Sequence, residues 1–249
     1  RSYKNNLWLS KINGYRGKRV MKIKASKRFK KILESTKGKK SETIDEAIKK
    51  VKKNCTTKFD ESIDVSFNLN LKHKKEEVGL RTTVNLPNGN GKKIKVAVLC
   101  EDSKVQEAKN AGADMFSADT LIKDITAGKI KFNKLVATPA MMSKMGKLGK
   151  ILGPKGLMPN PKTGTVTNNI KSIVKAVKSG QIEIKNDKDG NLGASIGKKS
   201  FSDEKIKKNY EVFLETLQKE KPIGIKGNFI LSSYLTSTMG VSYKLKPNN

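Results

Sequence analysis

Cysteine and histidine are almost missing from this 249-residue chain, which has two cysteines, Cys55 and Cys100, and one histidine, His73. The cysteines are far apart and form no CxxC pair, which excludes a disulfide framework and a cysteine-based zinc site. His73 lies among Lys72, Lys74 and Lys75, the setting of a solvated side chain rather than of a metal ligand or general base. No apolar run approaches the ~18 residues of a membrane span, so no membrane partner is expected. The sequence contains no GxSxG, no P-loop and no paired His/Asp/Glu cluster. Nothing in it points to an enzyme, a metal or a cofactor. Acids are scarce as well: 23 Asp and Glu stand against 53 Lys and Arg, for a formal net charge of +30.

That imbalance is the strongest global signal. Self-repulsion on this scale opposes a compact state, and a polyanion relieves it by counterion release. Nucleic acid fits that role better than an anionic membrane surface. At 35% hydrophobic the chain can still bury a core, and its length suits one large domain or two ordinary ones. The first forty residues hold a single acid, Glu34, with Tyr3, Trp8, Tyr15 and Phe29 set among lysines and arginines. They read as a basic arm that orders on RNA, as an acid-poor transit remnant beginning at Arg1, or as a tail with no role.

Along the chain, Thr43-Ile44-Asp45-Glu46 reads as a capping box that opens a helix through Ala47, Ile48 and Val51. Ile63, Val65, Phe67, Leu69 and Leu71 alternate with polar residues, the pattern of a half-buried antiparallel strand. A second apolar run, Leu80 to Leu86, ends at Pro87-Asn88-Gly89-Asn90-Gly91. From Lys92 the pattern changes. Ile94 to Cys100 is nearly continuous and apolar, as a strand covered on both faces requires. A helix closed by Gly112, a strand at Asp114–Phe116, a helix from Ala118 to Ala127, a strand at Leu135–Thr138 and a helix carrying Met141, Met142, Met145 and Leu148 then follow. A last helix runs through Ile170, Ile173, Val174 and Val177 to Gly180. This order predicts a Rossmann-like α/β unit. Beyond it, Gln181–Asn186 and Leu192–Ile196 read as a hairpin across Lys188-Asp189-Gly190-Asn191. Ser202 caps a long helix, and a final strand runs from Phe229 to Thr236. The expected fold is therefore a discontinuous outer α+β domain with an antiparallel sheet, interrupted by an inserted three-layer, Rossmann-like α/β domain. The boundaries are residues 1–40 for the basic extension, 41–87 with 181–249 for the outer domain, and 88–180 for the insert.

Within the insert, a dinucleotide site would want GxGxxG after the first strand. The sequence has Cys100-Glu101-Asp102-Ser103 there, so the insert reads as a scaffold. The segment from Gly149 to Val166, with four glycines, three prolines and three lysines in eighteen residues, reads as a shaped cationic loop suited to phosphate. Its Gly153-Pro154-Lys155-Gly156 matches the GxxG of KH modules but lacks the helix–loop–helix setting. Two segments of the outer domain suit RNA better. Lys58-Phe59-Asp60-Glu61-Ser62 offers an aromatic beside a lysine, for a base or ribose and a phosphate; the alternative is that Phe59 anchors its loop in the core. Ser237-Thr238-Met239-Gly240 offers hydroxyls, an adaptable apolar side chain and bare backbone to a shallow A-form groove, or else is an ordinary strand end.

These segments together resemble a known family. GKLGKILGPKGLMPNPKTGTV, residues 146–166, resembles the hallmark segment of the large-subunit ribosomal protein L-one family. TIDEA (43–47), TKFDESIDV (57–65), AGAD (111–114), VATP (136–139), NDKDG (186–190), IGKKSFS (196–202), KP-x-G-x-KG (221–227) and STMG (237–240) extend the likeness from Thr43 to about Tyr243. The resemblance implies the same two-domain fold and a structural role in the mobile stalk beside the tRNA exit site. It implies binding of large-subunit rRNA, with exit-site tRNA and other ribosomal components as further partners, and repression of its own mRNA as the alternative activity. By position it assigns RNA contacts to Lys58, Phe59, Ser62, Ser237, Thr238, Met239 and Gly240, then to Lys188 and Lys198, with Lys155 and Lys162 as secondary contacts. Lys72–Gly79 departs from the family's Gly-Ile-Asp…Ser-Asp-Gln pattern, so contacts there do not transfer. Gly193 stands where a histidine is usual, which removes one contact. Leu80-Arg81-Thr82-Thr83-Val84 is most similar to cyanobacterial and plastid members. It suggests a plastid ribosome, with mitochondria and bacteria as alternatives.

Overall fold

The computed structural model describes residues 26–36, 41–71, 80–222 and 227–246. Most of the basic extension, His73 with the departing Lys72–Gly79 stretch, and part of the KP-x-G-x-KG segment lie outside them. The chain divides into two compact units, residues 1–37 and 38–249. In the first, helix α1 (Lys27–Thr36) is capped by Ser26, whose Oγ accepts from the Phe29 amide at 3.2 Å.

In the second unit, the alternation of apolar residues sets the antiparallel sheet. Strand β1 (Ser62–Leu69) points Ile63, Val65, Phe67 and Leu69 into a core, each at most 1% exposed. Its neighbours come from distant parts of the chain: β7 (Asn191–Lys198) on one side and β8 (Ile230–Ser237) on the other, with β9 (Tyr243–Lys244) outermost. Helices α2 (Ile44–Asn54) and α8 (Asp203–Lys219) contribute Ile48, Val51, Tyr210 and Phe213 to the same core. Phe67 stacks on Phe213 with ring centroids 5.5 Å apart. Segments that precede and follow the α/β part thus build one sheet.

Between them lies the α/β part. Strand β3 (Val96–Leu99), buried along its whole length, is the centre of a parallel sheet with β4 (Met115–Phe116) and β5 (Lys134–Ala137). Helices α3 (Val105–Asn110) and α7 (Ile170–Ser179) pack residues into the core on one face. On the other face lie α4 (Ala118–Thr126) and a run of short helical turns that includes α5 (Met142–Met145) and α6 (Gly149–Leu152). This is the expected combination of an α+β part drawn from both chain ends with an α/β insert.

Three local readings need correction. The first is the hairpin. Strand β6 (Gln181–Lys185) pairs with β2 (Arg81–Asn85) in a separate two-stranded sheet, whereas β7 pairs with β1. The Asp-Gly turn is real, since Asp187 Oδ1 accepts from the Asp189 and Asn191 amides at 3.0 and 2.6 Å. It carries the chain from one sheet to the next, where β6 pairs along its whole length with β2 and β7 with β1. The second concerns the caps. Thr43 and Ser202 occupy N-cap positions, but neither side chain makes a capping bond. Acids at the helix starts compensate the dipole instead, and Asp45 is itself paired with Lys207 at 2.9 Å. The third is the Gly149–Val166 segment, which is not wholly loop. Its first four residues are α6, and Pro161–Thr163 is a 3-10 turn whose Lys162 amide is held by Asn160 Oδ1 at 2.8 Å.

The two chain crossings between the antiparallel and parallel parts touch. Gly89 and Gly180 both have positive φ, and a Cβ on Gly180 would collide with the Gly89 backbone. Buried Asn209 on α8 ties this point to β7, donating to Gly89 O at 2.9 Å and Ile196 O at 2.7 Å.

Candidate nucleic-acid interface

The loop between α2 and β1 is short, polar and attached at several points. Lys199 Nζ donates to Cys55 O at 2.7 Å and the Lys199 amide donates to Glu61 O at 2.8 Å. Asp60 accepts from the Ser200 amide and hydroxyl at 3.1 and 2.8 Å, with Lys198 Nζ 4.0 Å away. These bonds leave Phe59 with no place in the core. It is 51% exposed, so its alternative role as a loop anchor fails. Cys55 is buried beneath the loop and donates to Val51 O. Burial pushes its thiol pKa up, which makes it a structural thiol rather than a nucleophile.

The turn after β8 meets this loop. The Thr238 amide donates to Ser62 O at 3.1 Å, and Thr238 Oγ1 accepts from the Ser62 amide at 3.0 Å. Met239 follows at 48% exposure. A Cβ on Gly240 would meet Ser237 Oγ, so a larger residue there would have to turn the Ser237 hydroxyl aside. Met239, Phe59 and Leu231 are the exposed large hydrophobic residues among those described. Two of the three stand on loops joined to each other.

Glu61 does the joining. It is fully buried. Oε1 accepts from the Thr57 hydroxyl at 2.8 Å and the Thr57 amide at 3.4 Å, and Oε2 accepts from the Met239 amide at 3.2 Å. Burial alone would raise its pKa. The hydroxyls of Thr57 and Ser237 and the amides of Met239 and Thr57 outweigh burial and hold it below the ordinary glutamate value. The carboxylate is therefore charged at neutral pH.

The structure gathers Lys58, Phe59, Ser62, Lys198, Thr238, Met239 and Gly240 at one end of the antiparallel sheet. Ser237 is there too but is 3% exposed, so its side chain supports the turn from below. Lys188 is not with them. It lies beyond the opposite end of β7 from Lys198, and seven residue steps at about 3.3 Å separate Asn191 from Lys198 by roughly 23 Å. Lys155 and Lys162, both exposed, belong to the parallel-sheet part. Gly193, in place of a histidine, helps line a shallow depression of about 520 Å³ with Ser66, Asn191 and Asp187.

Sequence reasoning did not single out the outer face of the sheet. Opposite the buried side of β1 stand Ser62, Asp64, Ser66 and Asn68, exposed or half-buried. Across the strands, Asp64 faces Thr236 and Ser195, Ser66 faces Tyr234 and Gly193, and Asn68 faces Ser232 and Asn191. Hydroxyls, amides and a phenol dominate, with Asp64 the one charge on this set. The alternation that marked the core residues marked these as well, since successive side chains on a strand point to opposite faces.

An antiparallel sheet with an open polar face, edged by two exposed apolar side chains on mutually bonded loops, together with a separate parallel sheet, defines a class: a mixed α/β protein. The family follows from comparison. Residues 51–241 match the model of the ribosomal protein L1p/L10e family. The chain is 59% identical over 222 residues to the large ribosomal subunit protein uL1 of Pelagibacter ubique, covering 89% of this chain and 97% of that one. It is 47% identical to uL1 of Kosmotoga olearia over 89% of this chain and 96% of that one. It is 43% identical to uL1 of Thermus thermophilus over 91% and 99%. The chain belongs to the ribosomal protein L1p/L10e family.

Proposed function

We propose that this protein is a structural component of the large ribosomal subunit that grips a folded segment of large-subunit rRNA with the joined loops around Phe59 and Met239. The single observation that carries this reading is the pair of half-exposed apolar side chains, Phe59 and Met239, on two loops bonded to each other at the end of a polar sheet face. Phe59 supplies a flat apolar contact, and Thr238 and Gly240 supply hydroxyl and close backbone approach. The outer face of β1, β7 and β8 offers donors and acceptors to riboses. Lys58 and Lys198 add salt-dependent affinity. The bound rRNA forms the mobile stalk beside the tRNA exit site, and exposed Lys155 and Lys162 make secondary contacts with rRNA or departing tRNA. The boundaries near 87 and 180, where Gly89 and Gly180 touch, mark the hinge of that stalk protein. The related proteins named above are bacterial, and a bacterial-type ribosome is the host we infer in preference to a plastid one.

Met239→Ala and Thr238→Ala are each expected to weaken binding to an rRNA stalk fragment by about 1–3 kcal/mol without unfolding the protein. Filter binding at one fixed salt concentration checks this, and unchanged affinity in both variants overturns the site. A nucleotide role for the insert predicts the opposite kind of result. The first strand–helix turn holds Glu101 and no glycine. We expect no shift in melting temperature on addition of ATP, GTP or NAD in millimolar amounts; a clear upward shift would restore that role.

A further inference from the structure

We infer that Glu61 is the positioning residue of the RNA grip, with one buried carboxylate holding both recognition loops in the geometry that RNA meets. This deepens the rRNA-binding reading above and rests on it. Glu61 is an unlikely residue for its place on electrostatic grounds. The chain carries 53 cationic against 23 acidic residues, and a negative charge beneath an RNA surface repels phosphate. Burying a carboxylate is also costly unless its oxygens are satisfied. Here they are satisfied, and by a particular division. One oxygen takes both polar hydrogens of Thr57, at the root of the Phe59 loop, while the other takes the Met239 amide. Thr57 stands two residues before Phe59, so its bonds to the carboxylate hold the loop on the N-terminal side of the aromatic residue.

The two loops are otherwise joined through Ser62 and Thr238, one residue further from Phe59 and one residue before Met239. Glu61 therefore fixes the parts of the loops nearest to the exposed side chains. Glu61 touches no RNA, since it is fully buried. It acts through Phe59 and Met239, whose relative placement decides whether both contact the RNA at once. Among the standard side chains, only a carboxylate of this length presents two acceptors in opposite directions with no donor.

The test separates positioning from charge and from stability. Removing a negative charge near RNA should tighten binding if charge alone matters. Positioning predicts the reverse. Glu61→Gln keeps the size but turns an NH₂ toward either the Met239 amide or the Thr57 amide. We expect it to weaken binding to the rRNA stalk fragment several-fold, and Glu61→Ala to weaken it about 10- to 50-fold. The slope of log affinity against log salt should stay unchanged, since no phosphate contact is lost. Affinities are measured where circular dichroism shows each variant folded; if the alanine variant does not fold, the glutamine variant carries the test. In the Met239→Ala background, Glu61→Gln should cost far less than in the wild-type chain, because the two act as one unit. Wild-type or tighter binding by the Glu61 variants, or losses that add in full to Met239→Ala, would overturn the assignment. Should Met239→Ala itself bind normally, the rRNA-binding reading fails first, and the two failures are thereby told apart.

Discussion

Replacing Phe59 and Met239 together by alanine is expected to weaken binding to large-subunit rRNA by roughly 10²- to 10⁴-fold. Stacking of a base or ribose on an aromatic side chain contributes about 1–3 kcal/mol by alanine substitution, and a central apolar anchor contributes on a similar scale. Both side chains are about half exposed, at 51% and 48%, so their removal empties no cavity in the core. The melting temperature should move by no more than about 2 °C, the response to surface changes below ~0.5 kcal/mol. The salt slope gives the second signature. Neither residue carries charge, so the double variant should keep the wild-type slope, whereas a Lys58→Ala, Lys198→Ala pair should lower it by about two and cost less affinity at high salt. Isothermal titration or filter binding at three salt concentrations separates these outcomes. Loss of affinity confined to the lysine pair would move the grip away from the Phe59–Met239 edge and reduce it to electrostatics.

How much of this was legible in the sequence depended on sequence distance. The alternation at Ile63 to Leu69 and the continuous run at Val96 to Leu99 identified one-sided and two-sided strands, because burial leaves its period directly in the residues. The sheet partners did not show. β6 and β7 are neighbours in sequence across a strong turn, yet β6 pairs with β2 and β7 with β1. Turn chemistry fixes how the chain reverses and says little about which strand then competes best for the ladder. The helix after Pro139 shows a milder version. Its apolar spacing held, but Gly146, Gly149 and Gly153 broke it into short turns, as glycine's entropy cost predicts.

The candidate site divided along similar lines. Phe59, Thr238 and Met239 could be named from local residue type and family likeness. Glu61 could not. Within Lys58–Ser62 it reads as one acid of an ordinary polar loop, and its importance arises from a bond to the Met239 amide across 178 positions. Ser237 erred in the other direction: it has the right residue type for an RNA contact, but the strand turns its side chain inward. Residue type proposes chemistry, whereas facing and burial decide whether a ligand can reach it.

The second large effect concerns the point where the chain crosses between its two sheets. Asn209→Ala is expected to destabilise the protein by about 2–4 kcal/mol, with a fall in melting temperature of roughly 5–15 °C. Asn209 is fully buried. Its Nδ2 donates to Gly89 O at 2.9 Å and Ile196 O at 2.7 Å, while Oδ1 accepts from the Asn88 amide at 3.1 Å and Asn88 Nδ2 at 3.3 Å. Alanine strands these partners without water, and the penalty of an unmet buried group exceeds the net worth of the bond. Asn209→Asp sharpens the test. A carboxylate there would face the two carbonyl oxygens that the amide now serves, so burial and those lone pairs would raise its pKa in the folded state. A folded pKa above the unfolded one makes the protonated form the stable one. The Asp variant should thus come nearest to wild type below the ordinary aspartate range and lose stability as pH rises through the raised value. Thermal melts of the Ala and Asp variants from acid to neutral pH read this directly. A constant gap between Asp and Ala across that range would mean that the Asn209 amide does not hold the crossing together.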